Sequence, residues 1–204
     1  KVMVIGRKER KIDVLLAGER NEQADKFRYL GCLMRSNMRC EEEIKVRIAT
    51  EKEAFNRRRN IFCGSPNKEL RKRLIKCFVW SVALYGSETW TLRRSEEKRL
   101  EAFEMWVWRR LERMKWTDKV RNENVLVKVS ERRTLLNKIK RRKRNWLGHC
   151  LRRNCLLTDA LEGMINGKKM RGRRRFQLVD DINVNRSYAA MKRLAGDREA
   201  WRFQ

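Results

Sequence analysis

Proline is almost absent from this chain, with one in 204 residues against a usual level of roughly 5%. Proline breaks helix interiors, so its scarcity favours long helices. Histidine occurs once, at His149. No Ser-His-Asp set, Walker loop or glycine-rich dinucleotide loop is present, which leaves little for catalysis. The six cysteines (Cys32, Cys40, Cys63, Cys77, Cys150 and Cys155) include no Cys-x-x-Cys pair. His149, Cys150 and Cys155 lack a partner pair elsewhere, and zinc normally takes four ligands at known spacings, so no metal site is expected. No stretch reads as a secretory leader, and reduced thiols in an intracellular protein, nuclear or cytoplasmic, are expected. No fixed-period repeat is evident, which argues against a solenoid.

Acidic residues are also scarce: 26 Asp and Glu stand against 53 Lys and Arg, a net charge of +27. Such a surface attracts polyanions, and nucleic acid is the expected partner. The longest nearly uncharged run is Cys77 to Trp90. Its apolar part is too short for a bilayer, which needs about 20 apolar residues. It is expected to be buried as the second half of a central helix. The chain begins at Lys1 rather than Met, so a fragment or a processed product is expected.

The expected fold is mainly α with a small antiparallel β piece at the N-terminus. Lys1–Ile5, Ile12–Leu16 and Phe27–Leu33 read as three short strands. After Asn37 the period becomes helical. Glu41, Glu42 and Glu43 place acid in a first turn, and Ile44, Ile48, Phe55 and Phe62 recur at helical spacing. Ser65-Pro66 is expected to start the next helix, with Leu70, Leu74, Cys77 and Phe78 facing the core and Gly86 ending it. A further helix from Ser95 carries the stripe Leu100, Phe103, Val107, Leu111 and Met114. Ser130-Glu131 is expected to cap a helix with Leu135, Leu136, Ile139, Leu147 and Leu151 on its apolar side. Residues 163 to 175 read as a basic, glycine-rich mobile loop, and Phe176–Ile182 and Tyr188–Trp201 as last short helices.

Two basic clusters are candidate phosphate contacts. The first is Lys138, Lys140, Arg141, Arg142, Lys143 and Arg144, with His149 and Arg152 following. The second is Arg171, Arg173, Arg174 and Arg175, where glycine lets the backbone approach phosphates closely. A solvated face and a disordered linker are the competing readings. Asp180-Asp181 has apolar flanks like a polymerase metal hairpin, but no third carboxylate accompanies it. An acidic helix turn that pairs with nearby arginines is the preferred reading, and no catalytic residue is expected.

Five motifs occur in an order that resembles LINE-type (non-LTR) retrotransposon reverse transcriptases. They are Phe27-Arg-Tyr-Leu-Gly31 with Glu43-Ile44, Arg47-Ile48 and Ala54-Phe55; Leu84-Tyr-Gly-Ser-Glu-Thr-Trp90; Trp146-Leu-Gly-His-Cys-Leu-Arg152; Gly172-Arg-Arg-Arg175 with Asp180-Asp181-Ile182; and Ala195-Gly-Asp-Arg-Glu-Ala-Trp-Arg202. The resemblance implies the end of a palm and its primer grip in residues 1–36, with Tyr29, Leu30 and Gly31 at the grip. It implies a helical thumb in 37–116 and a basic helical extension in 117–204. The implied partners are RNA and DNA, as template–primer duplex and target DNA, with no membrane and no small-molecule substrate. The catalytic aspartates and their Mg2+ belong, in that family, to a palm segment upstream of Lys1. The parent would be an RNA-directed DNA polymerase, and this portion would be inactive alone and without a cofactor. The alternative is a stand-alone basic binding protein or a non-functional retroelement relic.

Overall fold

A computed structural model describes residues 1–5, 11–64, 67–153, 156–162, 178–182 and 187–202. The chain divides into two compact units, Lys1–Tyr85 with Arg110–Met114, and Gly86–Arg109 with Lys115–Gln204. These boundaries follow packing, whereas the divisions at 36 and 116 come from the family resemblance. The described architecture is mainly helical after a small antiparallel N-terminal piece, as expected.

The first unit opens with two hairpins. β1 (Leu15–Leu16) pairs with β2 (Glu19–Arg20), and β3 (Lys26–Tyr29) pairs with β4 (Cys32–Arg35). Both turns end in glycine at positive φ, Gly18 at 83° and Gly31 at 80°. Two-residue loops demand this geometry, which glycine adopts without strain. Phe27–Leu33 is therefore not one strand: Leu30 and Gly31 reverse the chain inside it. The expected strand at Lys1–Ile5 reduces to a single bridge between Val2 and Gln23.

Helix α1 (Glu41–Arg57) begins with its three glutamates, and α2 (Arg59–Cys63) follows. Ile44, Phe55 and Phe62 are buried, with the Phe55 and Phe62 rings stacked at 5.0 Å. The expected start at Ser65-Pro66 lies outside the described residues. Helix α3 (Lys68–Ala83) is capped by Asn67, whose side chain accepts from the Glu69 amide at 2.9 Å. Its buried line is Lys72, Ile75, Val79, Trp80 and Ala83. This corrects the expected facing. Leu74 is half-buried, Leu70, Cys77 and Phe78 face outward, and Phe78 is 54% exposed. Beyond the helix, Gly86 takes positive φ and ends the run as expected. Residues 110–113 close this unit: the Arg113 Nε donates to the Cys63 carbonyl at 3.0 Å, and Lys68 pairs with Glu112 at 3.1 Å.

In the second unit, α4 (Arg94–Leu111, its last two residues counted with the first unit) buries Leu100, Phe103, Val107 and Leu111 of the predicted stripe, whereas Met114 is half-buried and lies beyond the helix end. Helix α5 (Asn122–Val129) ends at Ser130 in the left-handed region. Ser130-Glu131 thus terminates one helix instead of starting the next. Helix α6 (Leu135–Leu151) is capped from a distance. Buried Glu104 accepts from the amides of Thr134 at 2.9 Å and Leu135 at 3.2 Å. A carboxylate on a helix N-terminus is favoured by unpaired amides and the helix dipole. Helices α7 (Leu156–Glu162), α8 (Tyr188–Gly196) and α9 (Arg198–Arg202) follow, while Leu178–Ile182 form turns. Residues 163–175 lie outside the described residues. Among the described residues, no helix is long and apolar enough to cross a membrane.

Glu51 on α1 is 2% exposed, and burial pushes its carboxyl up to about 7 against the opposing pull of Arg47 and Arg58. The unfolded chain ionises this group near its ordinary pKa of about 4.3. The folded state therefore holds the extra proton between these values, and stability falls as pH rises through the window. Glu51→Gln should leave stability nearly unchanged at pH 4 and raise it by about 3 kcal/mol relative to wild type at pH 8. Urea melts of both proteins across pH check this, and a difference that does not grow with pH would contradict it.

Candidate nucleic-acid interface

The hairpin turn of the first unit is held by residues of two of the five sequence motifs. Tyr85 donates its hydroxyl to the Leu30 carbonyl at 3.1 Å, and Arg47 donates Nη2 to the Gly31 carbonyl at 2.7 Å. The Arg47 guanidinium lies 5.0 Å over the Tyr85 ring, a cation–π contact. Glu43 fixes Arg47 through Nε at 2.6 Å and accepts from the Leu33 amide at 2.7 Å. Tyr29 and Leu30, which the resemblance places with Gly31 at the grip, keep their side chains exposed. The turn's backbone is therefore rigidly placed while its side chains face solvent.

The second unit carries a groove of about 740 Å³ between α6 and α9. One wall is the α6 stripe Lys140, Arg141, Arg144, His149 and Arg152. With Asn137 and Asn145, these positions are linked by steps of three and four residues, so they share a face. The other wall is Arg198 and Arg202, with Asn137 and Asn145 between the cations. No carboxylate is among the described lining residues. No ion pair holds Arg141, Arg144, Arg198 or Arg202 among the described residues. Lys140 pairs with Glu97 at 2.7 Å, and Arg152 donates to the Ala195 carbonyl at 2.8 Å.

The groove exists because α9 lies close against α6 at Gly148. A Cβ on Gly148 would stand 2.3 Å from Trp201 Nε1 and 2.7 Å from its Cδ1. The indole Nε1 donates to the Arg144 carbonyl at 3.0 Å, and Trp201 is 3% exposed. Asp197 starts α9 by accepting from the Glu199 and Ala200 amides at 2.9 and 3.0 Å. Leu147, Leu151, Met191, Ala195 and Trp201 form the core beneath.

Not all of the first cluster lies on the groove. Lys138 and Arg142 do not line it. Lys143 is 1% exposed, and its Nζ donates to the Trp90 carbonyl at 2.7 Å and to both oxygens of Asp181 at 2.6 and 2.7 Å. It is turned away from solvent, which corrects its expected place among the phosphate contacts. Burial lifts the Asp181 carboxyl above the usual carboxylate range, against the pull of Lys143. Asp181 is thereby occupied as a cation's partner, a lysine in place of the expected arginines. Arg171, Arg173, Arg174 and Arg175 lie outside the described residues. Among the described residues, no cluster of three or more metal-ligating side chains occurs; Cys155 is not among them. Arg198 and Arg202 were missed in sequence because Asp197 and Glu199 interrupt the local charge.

No family model and no solved structure matches the chain. The chain is similar to an uncharacterized transposon-derived protein of Caenorhabditis elegans, F52C9.6, at 29% identity over 136 residues. That match covers 65% of this chain and 48% of the relative, so the chain spans about half the length of the curated relative it matches. The similarity is to transposon-derived sequence.

Gly148→Ala should destabilise the protein by about 2 kcal/mol or more, because the added methyl overlaps a buried ring. Combined with Trp201→Ala it should cost less than the sum of the two single changes, measured by chemical denaturation. Additive losses would separate the two residues. Lys143→Met leaves Asp181 buried without its cation and should cost about 3–5 kcal/mol. The salt dependence of polyanion binding should not change, and a flatter slope in a folded variant would return Lys143 to the surface.

Proposed function

We propose that this chain is the nucleic-acid-binding C-terminal portion of a LINE-type retrotransposon reverse transcriptase. It holds RNA and DNA by their phosphates and is inactive alone. The α6–α9 groove is the observation that carries this reading: two walls of cations, with no carboxylate among the described residues that line it. Arginine forks suit phosphate oxygens, and the asparagines between them add neutral donors. The five ordered motifs and the similarity to a transposon-derived protein support a retroelement origin. In the parent enzyme, polymerisation and its Mg2+ belong to a separate palm, and this portion grips the template–primer duplex. Tyr29, Leu30 and Gly31 would present the primer end, and Arg171, Arg173, Arg174 and Arg175 would extend the phosphate-binding surface. Such a protein would work inside the cell, where the element's RNA and target DNA meet.

A stand-alone basic binding protein is the second reading, favoured by a net charge of +27 alone. The two differ in what they prefer. The polymerase reading expects tighter binding to a primed duplex than to a single strand; the other expects none of this preference.

Fluorescence anisotropy against salt tests the groove. Replacing Arg141, Arg144, Arg198 and Arg202 together by Ala should weaken duplex binding. The log–log salt slope should flatten by up to about 0.9 for each phosphate that the variant no longer neutralises. Replacing Arg173, Arg174 and Arg175 should flatten it further by up to about three counterions' worth. An unchanged slope in the groove variant removes the groove from the interface.

A further inference from the structure

Trp116 breaks the pattern of the other tryptophans. Trp80, Trp90, Trp108 and Trp201 are buried, and Trp106 and Trp146 are half-buried. Trp116 is 89% exposed. An indole left in water forgoes the burial that makes tryptophan useful in a core. The exposure is not that of a loose loop. Trp116–Asp118 is a 3-10 turn in which the Lys115 amide donates to Asp118 Oδ2 at 2.8 Å. Lys119 closes the turn at positive φ, its amide donating to the Trp116 carbonyl at 3.4 Å. The segment that follows is pinned by Arg109, whose Nη2 donates to the Val120 carbonyl at 2.7 Å and to Asn122 Oδ1 at 2.9 Å.

Lys115, Lys119 and Arg121 flank Trp116 in sequence, all exposed. Asp118 is the acid in this stretch, and it is engaged within the turn. A large flat aromatic on a rigid mount, beside cations, matches what an unpaired nucleobase and its phosphates require. A paired base in a duplex offers its edges in the grooves and keeps its face stacked; an unpaired base offers its face. An apolar protein partner would gain nothing from the three cations.

We infer that Trp116 is a stacking platform for an unpaired nucleobase, an additional contact that rests on the nucleic-acid reading above. The hydrogen-bonded turn lowers the ordering cost of the stack, because the backbone that carries the indole is already fixed. The groove supplies affinity without regard to bases, and Trp116 adds a term that depends on the base being there.

An oligothymidine and an abasic oligomer of the same length carry the same phosphates and differ only in bases. Wild-type protein should bind the oligothymidine about tenfold more tightly for a single stacked base. Trp116→Ala should bind both oligomers alike, with the wild-type salt slope and an unchanged melting temperature. Trp116→Phe should restore most of the difference. A base preference that survives in Trp116→Ala overturns the inference and leaves the groove reading standing. Equal losses on both oligomers also overturn it. Wild-type protein that binds neither oligomer and no duplex overturns the phosphate reading and this inference with it.

Discussion

The absence of a side chain at Gly148 is the constraint on which the second unit's candidate site depends. Trp201 occupies the space a Cβ would fill, and its indole donates to the Arg144 carbonyl one turn away. That seating fixes α9 against α6 and faces Arg198 and Arg202 toward the α6 cations. Bringing so many cations together opposes folding, but the opposition is modest. Like charges at helical spacing cost roughly 0.2–0.5 kcal/mol each in water. Burial of Leu147, Leu151, Met191 and Trp201 on the opposite side contributes roughly 1.5–3 kcal/mol per side chain. Apolar packing therefore wins, and the charges are held in place by the core that Arg144 and Arg152 touch through Trp201 and Ala195.

The same helix contains the case in which a charge is taken inward. Ile139, Lys143 and Leu147 follow one another at intervals of four, on the line that begins at Leu135 and ends at Leu151. A lysine on that line must be buried, and a buried ammonium needs both a counter-charge and hydrogen bonds. Asp181, the Trp90 carbonyl and the Leu92 amide supply a closed network around it. The ion pair fixes which segments meet rather than adding much net stability, since desolvation offsets most of the attraction. It joins Trp90 to Asp181, so two motifs distant in sequence share one buried lysine.

Much of this was legible where one helical face was apolar and the others were not. The α4 stripe of Leu100, Phe103, Val107 and Leu111 could be read directly, as could the acidic first turn of α1. The α3 facing could not, because apolar residues occupy nearly every side of it from Leu74 to Ala83 and periodicity loses contrast. Lys143 was readable in principle, since its phase with Ile139 and Leu147 was in the sequence. Treating 138–144 as a run of charge hid it. The start of α6 was not readable. Its cap is Glu104, thirty positions away from Thr134, and no local signal announces a cap delivered by tertiary structure. Arg198 and Arg202 stayed hidden for a similar reason: only the seating of Trp201 reveals which wall they belong to.

Sorting cations by what holds them decides which can meet a phosphate. The Lys143 ammonium is enclosed, so releasing it would strand the Asp181 charge in the interior. Lys140 is partly exposed and its pair with Glu97 is a surface pair, worth at most about 1 kcal/mol. A phosphate can replace such a partner at little cost. Arg152 lies between these extremes, because one guanidinium nitrogen is committed to the Ala195 carbonyl while the residue remains exposed. Arginine has five donors, so that bond leaves capacity for an anion and also steadies the fork that would bind it. A motif residue can thus build the frame and serve the site at once, provided its side chain has more donors than the frame consumes. Gly148 and Trp201 have no such surplus, and their part in the groove is to shape it.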